Sequence, residues 1–233
     1  IYFYNAILNC KKVGVSTSPD QLMIAMPGET TETVIKSAQF VASIRYLLEM
    51  NWNVANPALA MAIPGTPLYE YSQQIGTIGK TIDEEEDYLI RTSEFSNKDI
   101  LTYANKTDAS IEEVHYWTYL YRYAAKKYYL ENLFKSNKSF IEKFIEFKNK
   151  CIKASSIKIN LYFDKVDNNF KNKLRKLAHI SFQFILTFSV LFLPRTILFF
   201  LLKIYAYSDF AKIKKLHMEK QGKQKHNCFV EKY

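Results

Sequence analysis

The sequence predicts an α/β fold over residues 1–95, followed by a mainly α-helical, basic extension. Two apolar runs each end in a Pro-Gly pair and lead into a helical pattern, which is the repeat of a parallel α/β sheet or barrel. Ten of the twelve Gly and Pro residues fall within the first 79 positions. Residues 1–100 carry seven Lys/Arg against twelve Asp/Glu, a net charge of −5, whereas the remainder carries 25 against 11, or +14.

These shifts in composition predict three regions in the 233 residues. Residues 1–95 form the α/β part, residues 96–178 a basic helical region, and residues 179–233 a hydrophobic helical hairpin with a basic tail. Three scattered cysteines argue against a disulfide scaffold and suit a reducing, cytoplasmic compartment.

The first apolar run, residues 21–26, predicts a buried strand that ends at Pro27. Proline fixes its own backbone angle and cannot donate to a β-ladder, so it stops a strand. Gly28 then allows a ligand to approach the backbone closely. Glu29 is expected in the first turn of the next helix, residues 30–50, where a carboxylate meets the positive end of the helix dipole.

The second apolar run, within residues 53–63, predicts another strand that ends at Pro64-Gly65. Thr66 suits the N-cap of a short helix over 67–75, and proline at position 67 suits its first residue. The two Pro-Gly pairs are 37 residues apart, as expected for one βα unit with a small insertion. Either turn alone is compatible with an ordinary βα loop. Two matched copies predict a ligand at the carboxyl ends of the strands.

An apolar strand ending in Pro-Gly-Glu-Thr, then one ending in Pro-Gly-Thr-Pro-Leu-Tyr, resembles the later part of a radical S-adenosylmethionine (SAM) enzyme barrel. The similarity is to the branch with a cobalamin-binding domain upstream, and it covers roughly residues 1–95. It implies the C-terminal part of a partial TIM-like barrel, with both turns around the adenosyl group of SAM. The implied SAM-binding residues are Ala25, Pro27, Gly28, Glu29, Thr30, Ile63, Pro64, Gly65, Thr66 and Pro67, with Tyr69 behind them.

One feature of that family is missing from this sequence. The family holds a 4Fe–4S cluster with a Cys-x3-Cys-x2-Cys run, because iron–sulfur clusters require thiolate ligands. Cys10, Cys151 and Cys228 are too far apart in sequence to form such a run. We therefore expect a C-terminal fragment, inactive alone, whose cluster-binding half and any cobalamin domain lie upstream. Ala25 is a milder departure, since the family often has glycine there.

The resemblance also implies a chemistry for the full-length enzyme. An electron donor reduces the cluster, which cleaves SAM to a carbon radical, and the cobalamin branch often follows with methyl transfer or ring formation. The implied cofactors are SAM, a 4Fe–4S cluster and, in that branch, cobalamin. No catalytic or metal-ligating residue is expected within these 233 residues.

The acidic run over residues 83–87 has two interpretations, a metal site or the start of a helix. Thr81, with Glu84 three residues later, fits a capping box, and acidic residues stabilise a first helical turn. The pattern therefore favours the helix.

Residues 97 to 178 follow a helical pattern, with Asn97 and Ser110 as plausible starts. The aromatic side chains of residues 115–123, beside many lysines, invite comparison with a base-stacking surface. They recur at helical spacing, which favours packing, and no nucleic-acid partner is expected.

The most apolar segment is residues 180–202, whose 23 residues reach the length of about 20 that a transmembrane helix needs. Pro194 and Arg195 divide it into two short arms, and lysines flank both ends. This pattern favours a helical hairpin or an in-plane helix pair at the cytoplasmic face of a membrane. A buried hairpin and a true span are the alternatives. Membrane attachment would suit a small-molecule or lipid-like substrate.

Two other function classes remain open. The chain could be a non-catalytic, membrane-associated module in which the α/β part is only a scaffold. It could also be an ordinary TIM-barrel enzyme that binds phosphate at the same turns, although neither turn has an extended glycine-rich loop.

Overall fold

The computed structural model describes residues 2–15, 17, 22–93, 100–163, 181–182 and 184–230. Over these residues the chain is mostly helical, with two short parallel strands and no closed barrel. The helical character of the basic extension is thus confirmed, while the sheet is much smaller than expected. Both predicted region boundaries, after residues 95 and 178, fall outside the described residues.

The two strands are β1 (Met23–Ile24) and β2 (Ala58–Leu59), and they pair in parallel. Met23 lies opposite Ala58 and Ile24 opposite Leu59. The amide of Ala60 extends the ladder by donating to the carbonyl of Ile24 at 2.9 Å. The parallel pairing confirms the direction predicted from the repeated turns.

The strands end earlier than the sequence analysis predicted. Ala25 has φ 65°, a left-handed conformation that interrupts β1 two residues before Pro27. β2 likewise ends at Leu59, well before Pro64. The prediction that the two prolines stop the strands is therefore wrong, and the prolines instead lie within the loops that follow.

The helices match the predicted ones closely where both are described. In chain order, they are α1 (Tyr2–Lys12), α2 (Thr31–Leu47), α3 (Pro67–Gln74), α4 (Ile82–Ser93), α5 (Ile111–Lys135), α6 (Phe140–Phe163), α7 (184–192) and α8 (Arg195–Val230), with a 3₁₀ turn at Ile100–Thr102 before α5.

Predicted helix starts are confirmed by their caps. The side chains of Thr81 and Glu84 form a capping box at α4, with the Thr81 amide donating to the carboxylate at 3.2 Å. This explains the acidic run as the first turn of α4. The Ser110 hydroxyl accepts from the amide of Glu113 at 3.2 Å and caps α5. Asn97 lies outside the described residues.

The chain divides into two compact units. The first comprises residues 1–22, 35–56 and 121–198. Its core is aromatic: Trp52 packs against Tyr129 and Phe147, with ring centroids 6.0 and 5.7 Å apart. These side chains are buried, which is where large aromatic rings contribute most to stability.

The second unit comprises residues 23–34, 57–120 and 199–233 and contains both strands. Beside the sheet, Tyr69, Ile78 and Tyr88 pack with Ala62 in a buried cluster. Along α5, Trp117 and Leu120 are buried, so the aromatic stretch predicted to pack inside the protein does so in this unit.

Candidate functional site

The parallel register places both Pro-Gly turns after the carboxyl ends of neighbouring strands. The hydroxyl of Tyr103 donates to the carbonyl of Ala25 at 3.2 Å and to that of Ala60 at 2.8 Å. One side chain therefore bridges the ends of β1 and β2. This is the arrangement in which α/β sheets bind ligands, and residues 25–30 and 63–67 are the candidate site.

The first turn is shaped by two left-handed residues, Ala25 at φ 65° and Gly28 at φ 76°. Only glycine adopts that conformation without steric cost, so Gly28 is the residue this turn requires. The helix α2 begins at Thr31, with Thr30 accepting from the amide of Thr33 at 3.3 Å. Glu29 therefore precedes the helix, and the prediction that it lies in the first turn is wrong.

Glu29 instead folds back over its own loop. Its carboxylate accepts hydrogen bonds from the amides of Ala25 and Met26, the second at 3.3 Å. Burial is the largest influence on the pKa of Glu29 and raises it above its ordinary value, while these two hydrogen bonds act to lower it. Two successive amides at the end of β1 are thus satisfied by a side chain of the same turn.

The helix start after the second turn matches its prediction. Gly65 has φ 81°. Thr66 is the N-cap of α3, with its hydroxyl accepting from the amide of Tyr69 at 3.3 Å and donating to the carbonyl of Ile63 at 2.6 Å. Pro67 is the first helical residue. The capping preferences of Thr and Pro are local, which is why the sequence alone identifies them.

Both turns present open backbone. A Cβ added at Gly28 or at Gly65 meets no described atom within 4 Å, so neither glycine is needed for packing. Pro27, Pro64 and Pro67 are exposed, as are both glycines. A ligand can therefore approach the turns from solvent. Tyr69, two residues after Pro67, lies in the buried cluster.

Three side chains that the sequence analysis missed hold the strand-end carbonyls. Besides Tyr103, the hydroxyl of Tyr88 donates to the carbonyl of Ala62 at 2.7 Å, and the Lys106 amine donates to that of Ala60 at 2.9 Å. Tyr103 and Lys106 are three residues apart in an irregular segment, where no periodicity marks them.

Lys106 is 2% exposed and has backbone carbonyls as its described hydrogen-bond acceptors. The second acceptor is Ala104, at 2.6 Å, and the amine lies 4.3 Å from the centre of the Tyr103 ring. Burial lowers the pKa of Lys106 to about 8 because the charged amine loses its hydration. A lysine so placed anchors the end of β2.

A second polar cluster fixes the start of α2 beside the first turn. The hydroxyl of Thr31 donates to the Glu113 carboxylate at 3.0 Å and accepts from the Trp117 indole nitrogen at 2.9 Å. Lys203 and Tyr207 also donate to Glu113, each at 2.8 Å. Burial acts to raise the pKa of Glu113, but these hydrogen bonds outweigh it and hold the pKa below its ordinary value.

Potential metal-ligating side chains are spread out over the described part of the chain. Among the described residues, no group of three or more His, Cys, Asp or Glu is placed to bind a metal ion. Cys151 is buried, and burial raises the pKa of its thiol to about 11, which disfavours the thiolate that a metal needs. The side chains of His226 and Cys228 lie outside the described residues.

The hydrophobic segment breaks where predicted. α7 ends at residue 192 and α8 begins at Arg195, with Pro194 between them. The amine of Lys127 donates to the carbonyls of Leu191 and Leu193, and Arg195 forms a salt bridge with Glu131. The break is therefore fixed to α5 in the first unit. Residues 180 and 183 lie outside the described residues.

Each arm of the segment has one buried and one exposed face. Thr187 and Val190 of α7 are buried, whereas Phe188 and Phe192 are exposed. The segment is therefore neither wholly buried nor wholly exposed. Within the described residues, no helix combines the length and the hydropathy needed to cross a membrane.

Comparison of the chain with protein-family models, with curated proteins and with solved structures found no match. Its function is therefore inferred from the residues and contacts above.

Proposed function

We propose that this chain contributes the later strands of a radical SAM enzyme barrel, and that its two Pro-Gly turns contact the adenosyl group of SAM. The observation that carries the proposal is the parallel pairing of β1 and β2, with an open, left-handed glycine in the turn after each strand. The open backbone at Gly28 and Gly65 allows the close approach that an adenine or ribose ring requires.

The proposed enzyme would use a 4Fe–4S cluster, an electron donor and SAM, which together would supply radical chemistry at a carbon atom of the substrate. Methyl transfer and ring formation, with cobalamin, are the reaction types that the resemblance implies. The role of this chain is to position the nucleoside through the two turns, since it supplies no cysteine triad of its own.

We further propose that the protein is attached to the cytoplasmic face of a membrane, where it acts on a small hydrophobic or lipid-like substrate. The exposed aromatic side chains of α7 and α8 support this location. Contiguous exposed apolar faces on a folded chain mark sites that contact another protein or a membrane.

One observation favours the alternative, a non-catalytic membrane-associated module. At the strand ends, Glu29 occupies two amides, and Tyr103 and Lys106 occupy carbonyls. A scaffold satisfies its buried polar groups in this way and needs no ligand to do so. Binding of SAM to the chain separates the two functions.

The first experiment is calorimetric titration of the chain with SAM, using Gly28→Ala and Gly65→Ala variants. We expect each substitution to weaken SAM binding by about tenfold or more, because the added methyl group blocks approach to the backbone. The matched control is Gly76→Ala, since Gly76 has φ 75° and equally open surroundings but lies outside both turns.

All three variants should lose about 1 kcal/mol of stability from the left-handed backbone. Loss of SAM affinity in the two turn variants, with unchanged affinity in Gly76→Ala, supports the proposed site. Equal affinities in all of them would favour the scaffold.

A further inference from the structure

The helix α8 has two contrasting faces along the part that belongs to the second unit. Leu202, Ala206 and Phe210, four residues apart, are buried. On the opposite side Phe200 is 64% exposed and Ile204 is 53% exposed. We call this side, with the exposed Leu201 and Tyr205, the outer face of α8. Large apolar residues on the solvent side of a helix need a partner to cover them.

Three lysines follow the outer face along α8. Lys212, Lys214 and Lys215 are exposed. Between residues 195 and 218 the one acidic residue is Asp209, and its carboxylate is bound by His115 at 3.1 Å and by Tyr119 at 2.8 Å. Among the described side chains of α8, those of residues 195–218, the exposed ones therefore include apolar and cationic groups and no acidic one.

A shallow, open patch of surface lies along this basic part of the helix. It is lined by two lysines, Lys214 and Lys215, and two apolar residues, Ala211 and Met218. An ammonium pair beside an apolar surface matches an amphipathic anion, with a phosphate at one end and an acyl chain at the other.

We propose that α8 lies along the surface of an anionic phospholipid membrane. Its outer face enters the boundary between headgroups and acyl chains, and Lys212, Lys214 and Lys215 contact the lipid phosphates. This inference deepens the proposed membrane attachment and rests on it, by naming the helix, its orientation and the lipid class. Three exposed lysines, with no exposed carboxylate among the described side chains of residues 195–218, favour an anionic surface.

The experiment is co-sedimentation of the full chain with vesicles of phosphatidylcholine, alone or mixed with phosphatidylserine. The wild-type chain should bind the mixed vesicles more tightly. Phe200→Ser/Ile204→Ser should weaken binding to both vesicle types by about tenfold or more, because two apolar side chains no longer enter the lipid. A triple change of Lys212, Lys214 and Lys215 to Gln should weaken binding to the mixed vesicles by on the order of 100-fold.

Matched controls separate α8 from general hydrophobicity and charge. Phe140→Ser/Ile141→Ser removes two exposed apolar residues of α6, and changing Lys80, Lys135 and Lys148 to Gln removes three exposed lysines. Both controls should bind like the wild type. Equal losses in variants and controls would overturn the proposal. The lysine triple alone decides the outcome where circular dichroism shows that an apolar variant has unfolded.

The remaining outcomes distinguish this inference from the proposals on which it rests. A wild-type chain that binds neither vesicle contradicts both the attachment and the role of α8. If binding is lost in Phe188→Ser/Phe192→Ser but kept in the α8 variants, the protein attaches to the membrane through α7. That result would support membrane attachment and contradict the proposed role of α8. An α8 variant that changes the oligomeric state, but not vesicle binding, identifies a second copy as the partner instead. SAM affinity is measured separately and bears on neither result.

Discussion

Lys106 has an environment that is uncommon for a lysine. Its amine is buried against the carbonyls of Ala60 and Ala104, and no carboxylate is among its described hydrogen-bond partners. Burial therefore acts on the charged form without compensation from an opposite charge, and the pKa falls to about 8. The free energy of unfolding should therefore depend on pH, and the dependence is assigned to Lys106.

We expect wild-type stability to rise between about pH 8 and pH 10 relative to Lys106→Met. The folded chain releases the Lys106 proton near pH 8, whereas an unfolded lysine keeps it to about 10.5. In that window the unfolded state binds more protons, so stability rises with pH. Denaturant unfolding at several pH values gives the free energy of unfolding of both proteins. In the difference between them, the contributions of other titrating groups cancel.

The same substitution at exposed Lys80 provides the control and should leave the difference constant with pH. A Lys106→Met difference that is equally flat would show that the buried amine stays protonated throughout. The prediction needs no ligand.

At the residue scale, local chemistry was predictable and long-range contacts were not. Thr66 and Pro67 were identified correctly because capping depends on neighbours within three residues. Glu29 was misplaced because its carboxylate bonds to amides that precede it, in a loop bent by Ala25 at positive φ. Nothing in sequence indicates that an alanine adopts that conformation.

At the scale of single elements, helix caps hold the candidate site in shape. The N-cap Thr66 fixes where α3 begins, directly after the second Pro-Gly turn. α2 is fixed in a similar way by Thr30 and by the contacts of Thr31. Each turn therefore lies between a strand end and a capped helix.

Thr66→Ala should lower the free energy of unfolding by about 1 kcal/mol, since the amide of Tyr69 loses the hydroxyl as an acceptor and keeps only the Thr66 carbonyl. Thr66→Ser keeps the hydroxyl and should retain most of that stability. Chemical denaturation of the three proteins gives the comparison. If alanine and serine variants are equally stable, the hydroxyl does not cap α3 in solution.

Elements were predictable to the extent that their own sequence encodes them. The helix predicted over residues 30–50 corresponds to α2, in which Val34, Ala38 and Val41 are buried, and Pro194 marked the break between α7 and α8. The strands were overestimated, because apolar runs near Pro27 and Pro64 continue past the two-residue ladder that actually forms. The length of a strand depends on its partner, which a single run does not reveal.

At the scale of the whole molecule, charge is distributed unevenly along the chain. The net charge of +9 arises beyond residue 100, since the first 100 residues are net negative. That asymmetry is visible in the sequence. The interleaving of three chain segments in each compact unit is not, because it depends on contacts between residues far apart in sequence.

Binding to anionic vesicles should weaken at least about tenfold as salt rises from about 0.1 to about 1 M, as the Debye length shortens from about 10 to about 3 Å. Sedimentation with vesicles at each salt concentration measures the bound fraction of the protein. Residual binding to neutral vesicles should persist, because apolar burial is not screened. Anionic binding that is independent of salt would contradict an electrostatic role for the basic part of the chain.

Because Trp117 hydrogen-bonds to Thr31, tryptophan fluorescence can report on the start of α2 beside the candidate site. The sequence has two tryptophans, and Trp117 touches the first residue of α2, immediately after the candidate turn. Trp52 lies in the other compact unit. With Trp52 replaced by Phe, intrinsic fluorescence would come from Trp117 alone. A ligand that moves the turn would then shift the emission of an unlabelled protein.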